Sequence, residues 1–360
     1  MIKAQIIADS ICNGHRITTM KVTMPRIILP EFNTHRMLSK NSASSRAIPL
    51  NKMVEMVRTN PFIPIAWQKD HRGMQGTEYH EGSVANGMQQ EWLHARERAI
   101  GAANYLHFNG LTKQLCNRLL EPFMWHTVLV TATEFENFFH LRCPQYHWKG
   151  HVFRSKKDAL NHREAISSMT DVDWLYLNKG QAEIHMMALA EAMWDARNES
   201  TPKELQPGQW HIPYGDLIQF KNTYLKEQLT DVMSAVLETI TGVKDLPVEV
   251  PLATAVCAQT SYTVIGEGDK LDKDNITDVL MDIHNSLLIR PHTNRKGVVF
   301  GPDDPKHMSP AEHCAQAMTE EEIQHDYSRQ NGLDSMEEGW CHNLRGWKSY
   351  RSMIPNENRR

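Results

Sequence analysis

Apolar and polar positions alternate most clearly over residues 17–32, ITTMKVTMPRIILPEF, a stretch rich in β-branched side chains. The pattern predicts one or two strands broken at Pro25 and Pro30, because proline donates nothing to a β-ladder. A polar stretch, THRMLSKNSASSR, follows. Residues 60–90, with Pro61, Pro64, Gly73 and Gly76 among polar side chains, read as a long irregular loop of the kind that often carries function. Helical spacing appears at 88–108, with Trp92, Ala95, Ala99 and Ala102/Ala103 on one face. Residues 112–142 are apolar on most sides and read as a buried helical block interrupted at Pro122. The polar, basic stretch 144–179 has no clear period and reads as an insertion. Residues 181–196 and 225–240 have the spacing of amphipathic helices. The Gly/Pro-rich connector at 201–213 marks a change of composition, so 1–200 is predicted as a core part and 201–360 as a C-terminal part. A short apolar run (250–265), a helix (275–289) and a loop (290–306) are predicted beyond it, and no repeat of solenoid period is present.

Composition narrows the class. Over 360 residues, 41% hydrophobic and 23% charged side chains are globular proportions rather than disordered or collagenous ones. A net charge of −4 gives no global field for nucleic acid or an anionic membrane, so any phosphate site must be local. The six cysteines form no C-x-x-C pair, which argues against a zinc ribbon or redox dithiol and for buried reduced thiols. No apolar run approaches the roughly 18–20 residues of a membrane span, and the N-terminus lacks the secretory pattern. The expectation is a cytoplasmic protein with no nucleic-acid or membrane partner. P-loop and Rossmann fingerprints are missing. None of the 19 histidines stands in H-E-x-x-H, so no catalytic metal is expected. Cys143-Pro144 has no positioned base beside it and reads as a buried thiol rather than a nucleophile.

Candidate chemistry concentrates in Thr34–Arg46, where His35, Arg36 and Arg46 interleave with the hydroxyls of Ser39, Ser42, Ser44 and Ser45. Forked guanidinium donors suit phosphate oxygens, so the segment reads either as an anion cradle or, with about equal weight from composition, as a solvated polar loop. His35-Arg36 followed by Ser39-x-Asn41-x-x-Ser44-x-Arg46 resembles the Arg-His-Arg-x7-Ser signature of the flavin-dependent thymidylate synthases, with Thr34 in place of the first arginine and Ser42 where the family commonly has glutamate. Arg118-Leu119-Leu120-Glu121-Pro122 is similar to the family's Arg-x-x-Leu-Pro. Asn137-Phe138-Phe139-His140-Leu141-Arg142 is similar to its Asn-Phe-x-x-Leu-Arg, and Gln181–Ile184 to the helix start that follows. A third block, Ala258-Gln259-Thr260-Ser261-Tyr262 and His307-Met308-Ser309-Pro310-Ala311-Glu312-His313, resembles segments that in the family precede the first motif. The order is therefore read as permuted, which domain termini lying close together at the surface would tolerate.

The resemblance covers about half the chain and implies an α+β fold with an antiparallel sheet and long helices, assembled as a homotetramer or at least a dimer. It implies reductive methylation of dUMP at C5, with FAD, NADPH and 5,10-methylenetetrahydrofolate as cofactors. Its site roles put Ser44, Arg46, Arg118 and Arg142 on the nucleotide, with Arg142 near the pyrimidine ring. His35, Arg36, Asn137, Ser261, Ser309, Glu312 and His313 would hold the flavin, and His307 would act as an electrophilic or positioning group. The size and rearrangement are similar to those of bacteriophage-encoded relatives. Each residue also has a plainer reading. Arg118 or Arg142 could form an internal salt bridge with Glu121, Glu134 or Glu136. Ser309 and Glu312 could form a capping box. Arg345–Arg351, which echoes the lead-in to the family's first motif, could be an amphipathic tail packed on the surface. Hydroxymethylation, dCMP as substrate, and a non-catalytic nucleotide-binding module remain alternatives.

Overall fold

A computed structural model describes residues 1–44, 48–72, 76–162, 169–217, 246, 247, 249–259, 312–324 and 339–353. The helices expected at 225–240 and 275–289, the loop at 290–306, and Arg46, Ser261, His307 and Ser309 lie outside the described residues.

The main sheet has five strands: β1 (Lys3–Cys12), β2 (His15–Pro25), β3 (Ser39–Ser42), β4 (Trp125–Ala132) and β5 (Lys203–Glu204), in the spatial order β3-β4-β2-β1-β5. The only parallel contact described in it is β5 on β1; the other neighbours run antiparallel. Asn13 and Gly14 join β1 to β2 with φ of 49° and 78°, so Cys12 faces His15. Two positive-φ residues are what a two-residue type I′ hairpin requires, and Asn-Gly supplies them at least cost. The arrangement is a mixed α and β one, compatible with α+β.

Side-chain alternation splits the sheet into two faces. Met20, Val22 and Met24 of β2 and Val128, Val130 and Ala132 of β4 point to one side, where they pack on apolar residues of three helices, including Phe32, Phe138, Phe139, Met186, Leu189 and Met193. These come from α1 (Leu29–Asn33), α5 (Glu136–Arg142) and α8 (Ile184–Glu199). Each fully buried side chain of this kind contributes about 1.5–3 kcal/mol, so this face anchors the fold. On the opposite face Cys12 and Ile17 meet a second sheet of β6 (Trp210–His211), β7 (Ala315–Ala317) and β8 (Trp347–Ser349), in which Ala315, Ala317 and Trp347 are fully buried. Residues on either side of 200 thus share one core.

A separate cluster packs α2 (Leu50–Thr59), α3 (Gly82–Phe108) and α4 (Lys113–Arg118) around Met53, Val57, Ile100, Ala103, Cys116 and Leu120. Trp92, Ala95 and Ala99 are half-buried against it, as the spacing predicts, whereas Ala102 is exposed. The long loop expected at 60–90 is shorter than its limits: Trp67–Gln68 and Tyr79–His80 pair, and α3 starts at Gly82.

The sharpest difference from the sequence pattern is β4. Residues 125–132 form a central strand, not part of a helix; Val128, Leu129, Val130 and Ala132 are wholly buried. A strand covered on both faces loses its period-two signature, and a run of this kind cannot be told from a buried helix by periodicity alone. Its β-branched residues, Thr127, Val128, Val130 and Thr131, favour the strand.

The insertion also has structure. Tyr146–Trp148 pairs with His151–Phe153, and α6 (Lys156–His162) and α7 (Asp171–Leu177) close a small core of Tyr146, Phe153, Ala159 and Trp174. A capping box between Thr170 and Asp173 starts α7. Glu191, Asp195 and Glu199 lie four residues apart on one face of α8. Glu191 accepts from the Tyr146 hydroxyl at 3.1 Å and the Lys156 amide at 2.6 Å, Asp195 accepts from Ser155, and Glu199 pairs with Lys157. The two ends of the excursion are tied together, Lys179 donating its amide to Gln145 O at 2.9 Å and Gln145 donating to Asn178 Oδ1 at 3.0 Å. Among the described residues, no helix is long and apolar enough to cross a membrane.

Candidate active site

Helix α1 holds Pro30 in its first turn and ends at Asn33. The chain then turns back on itself: Thr34 donates its hydroxyl to Glu31 O at 2.7 Å, and His35 donates its amide to Phe32 O at 3.3 Å. That turn lays the His35 imidazole edge-on against Phe138 of α5, with ring centroids 4.9 Å apart. Arg142, the last residue of α5, donates Nε to His35 Nε2 at 3.0 Å and pairs through Nη1 with Glu31. The first two motif blocks, 107 residues apart between these side chains, therefore meet in one place.

The electrostatics follow from this packing. His35 is pushed down to about 4, first by burial and then by the charges of Arg142 and Lys40. Lys40 donates Nζ to His35 O at 2.5 Å and lies 5.4 Å from the Phe32 ring centroid; burial lowers it to about 8. At neutral pH His35 is therefore an uncharged imidazole. Because Nε2 accepts from Arg142, the ring proton sits on Nδ1, leaving a neutral N–H donor beside a guanidinium. Such an edge can stabilise negative charge that develops on a ligand without carrying a second full cation into the site.

The other expected residues are placed as follows. Arg36, next to His35, and Asn137, five residues before Arg142, are exposed. Ser44 is half-buried, two residues past β3. Arg118 ends α4 and is exposed; Glu121, its suggested partner, pairs instead with Arg26 at 3.3 Å. The internal ion pair considered for Arg142 exists, with Glu31 rather than Glu121, Glu134 or Glu136. Glu312 pairs with Arg351, which links the third motif block to the C-terminal segment. That segment is not a surface tail: Trp347 is fully buried and donates Nε1 to His15 O at 3.1 Å. His313 is 1% exposed, and its Nδ1 is 2.8 Å from Thr131 Oγ1, so this nitrogen faces the interior rather than an open surface. Gln181–Ile184 is a helix start, with Glu183 capping α8 by accepting from the amides of His185 and Met186 at 2.8 and 3.0 Å.

Sequence reasoning did not assign roles to Glu31, Lys40 or His211. Lys40 stands inside the motif and Glu31 four residues before His35, so their nearness was visible though their partners were not. His211 had no local signal.

No family model matches the sequence, and no curated protein matches it. Two solved structures of a UMP/dUMP methylase, PolB, from Streptomyces cacaoi are similar in part. The one bound with 5-Br dUMP is 13% identical over 51% of this chain and 68% of that chain, with a TM-score of 0.36. The one bound with 5-Br UMP is 14% identical over 55% of this chain and 89% of that chain, with a TM-score of 0.38.

Proposed function

We propose that this chain methylates dUMP at C5, taking the one-carbon unit from methylenetetrahydrofolate and its electrons from NADPH through FAD. The observation that carries the reading is the 3.0 Å contact between His35 and Arg142, which joins two sequence blocks that the family resemblance assigns to one site. The donor set also fits a flavin. A neutral Nδ1–H on His35 suits a ring carbonyl or ring nitrogen, and the exposed Arg36 and Asn137 offer donors for diphosphate and ring oxygens. When bound, the flavin and folate supply hydride and carbon. The chain's own part is positioning and charge.

In this reading Arg142, oriented by Glu31 and His35, directs its remaining Nη2 at a pyrimidine oxygen and stabilises charge as C5 becomes nucleophilic. Ser44, Arg46 and Arg118 hold the nucleotide phosphate. Ser261, Ser309 and His307 complete the flavin side, with Glu312 held by Arg351; His313, 1% exposed and bonded to Thr131, does not touch the cofactor. A second reading is favoured by Ser42, half-buried in β3. A hydroxyl both donates and accepts, so it matches the N3 of cytosine as well as that of uracil, and dCMP or a hydroxymethyl product is the alternative outcome.

Mass spectrometry of products from dUMP and from dCMP, each with FAD, NADPH and methylenetetrahydrofolate, tests both. Thymidylate from dUMP supports the first reading. A product from dCMP, or one from dUMP heavier than thymidylate by one oxygen, supports the second. Tight nucleotide binding with no product and no flavin uptake would make the protein a non-catalytic module.

A further inference from the structure

Between the two sheets, five buried side chains touch in series. Ser10 Oγ is 2.9 Å from His211 Nδ1, His211 Nε2 is 2.8 Å from Thr19 Oγ1, Thr19 Oγ1 is 2.7 Å from Thr131 Oγ1, and Thr131 Oγ1 is 2.8 Å from His313 Nδ1. Thr19, Thr131 and His211 have no exposed surface. Three members belong to the main sheet (β1, β2, β4), while His211 lies in β6 of the second sheet and His313 two residues before β7.

Each hydroxyl carries one proton and each neutral imidazole one N–H, and this sets the polarity of the whole series. If His313 Nδ1–H donates to Thr131, then Thr131 donates to Thr19, Thr19 to His211 Nε2, and His211 Nδ1–H to Ser10. If Ser10 donates to His211, every link reverses and both histidines carry their proton on Nε2. Opposite tautomers leave a buried donor or acceptor unmatched, which a dry seam disfavours. A single added proton fits by locking one polarity. A second sets two inward-pointing donors against Thr19 and Thr131 and strands one hydroxyl proton.

We propose that these five side chains form a one-directional hydrogen-bond chain that holds His211 and His313 in the same tautomer and makes the seam between the two sheets an acid-sensitive latch. The surroundings supply little to hold charge. Asp9 of β1, bound by Arg16 at 2.6 Å, is the carboxylate that acts on His211, and it favours the charged form, but burial outweighs it and lowers the ring to about 4. His313 is lowered to about 3 by burial and by His211. The neighbouring Cys314 thiol and Tyr350 hydroxyl are pushed up by burial, the thiol to about 12, and stay neutral, and Trp347 faces His211 at 6.2 Å. Both histidines have folded values below their unfolded ones. Unfolding therefore takes up protons as pH falls below about 6.5, and stability is lost from there toward the folded values.

The test is ring-nitrogen NMR on the full chain labelled with 15N-histidine at neutral pH. His211→Gln and His313→Asn assign the two rings; Ser10→Ala, which touches His211 alone, is the substitute if those variants do not fold. Matching tautomers are expected, and opposite tautomers overturn the chain. Thr131→Val removes no atom that touches His211, yet it is expected to shift the His211 nitrogens as well as those of His313; an unmoved His211 overturns the coupling. Denaturant midpoints measured from neutral pH to about pH 5 read the latch. Each histidine variant is expected to lower the proton uptake on unfolding by up to one, and a slope equal to the wild type's overturns the acid sensitivity.

Discussion

Replacing Arg142 by alanine separates its structural work from its proposed chemical work. The Glu31–Arg142 pair is 30% and 23% exposed, so solvent screens it, and its loss costs about 0.5–1 kcal/mol. The hydrogen bond to His35 adds about 1 kcal/mol. A total of about 1–2 kcal/mol corresponds to a fall in Tm of roughly 1–3 °C for a chain of this length. His35 should respond as well. Burial is the largest cause of its low value and remains, while the repulsion from Arg142 disappears. The ring should therefore titrate above about 4 but still below its ordinary 6.5. If Arg142 stabilises charge forming on the pyrimidine, kcat should fall about tenfold to hundredfold, from a charge-assisted contact worth roughly 1.5–3 kcal/mol, with little change in KM. Arg142→Lys should recover only part, because one ammonium cannot hold both His35 and Glu31. Histidine NMR titration and steady-state kinetics on the two variants are the assays. An unshifted His35 would show that the side chains do not meet. A raised KM with normal kcat would show that Arg142 binds the ground state and transition state alike.

Three further outcomes are expected. Arg46→Ala and Arg118→Ala should weaken nucleotide binding by roughly tenfold to hundredfold while flavin content holds; titration measures it, and normal nucleotide binding with lost flavin would reassign both residues to the cofactor. Gly346→Ala should destabilise by more than ~1 kcal/mol, because Gly346 has φ of 74° and a Cβ there would sit 2.5 Å from the His15 ring; an unchanged thermal midpoint would contradict the close approach. Light scattering should find a dimer or tetramer, whereas a monomer with full activity would mean that the site is complete within one chain.

Legibility in the sequence followed the range of the interactions. Helix α8 and the face of α3 were readable because spacing of three and four residues is local. β1 was missed although Asn13-Gly14 marks its hairpin, because the alternation before the turn is weak: six of its ten residues are only half-buried. β4 was misread because a strand enclosed on both faces looks like any apolar run. In the site, His35 and Arg142 were both legible through their motifs, but Glu31 as the partner of Arg142 was not, since nothing in a one-dimensional pattern fixes which carboxylate a folded chain brings round. His211 shows the limit most plainly. Its neighbours Ser10 and Thr19 lie 201 and 192 residues away, so only the packing of two sheets reveals it.

The tied ends of the 144–179 excursion have a consequence for how this scaffold can be altered. Gln145 and Lys179 are hydrogen-bonded to each other, and a Cβ on Gly180 would come within 3.4 Å of Pro144, so the segment leaves and re-enters the body at one point. Bridging such a gap needs only a short turn, and loop closure costs grow slowly with length. The excursion is thus a cassette: it could be cut out, lengthened or exchanged for a foreign module without redirecting the chain that enters α8. What excision would uncover is Glu191, Asp195 and Glu199, three carboxylates that in water are ordinary surface residues, so the helix beneath already carries the face it would need to stand bare.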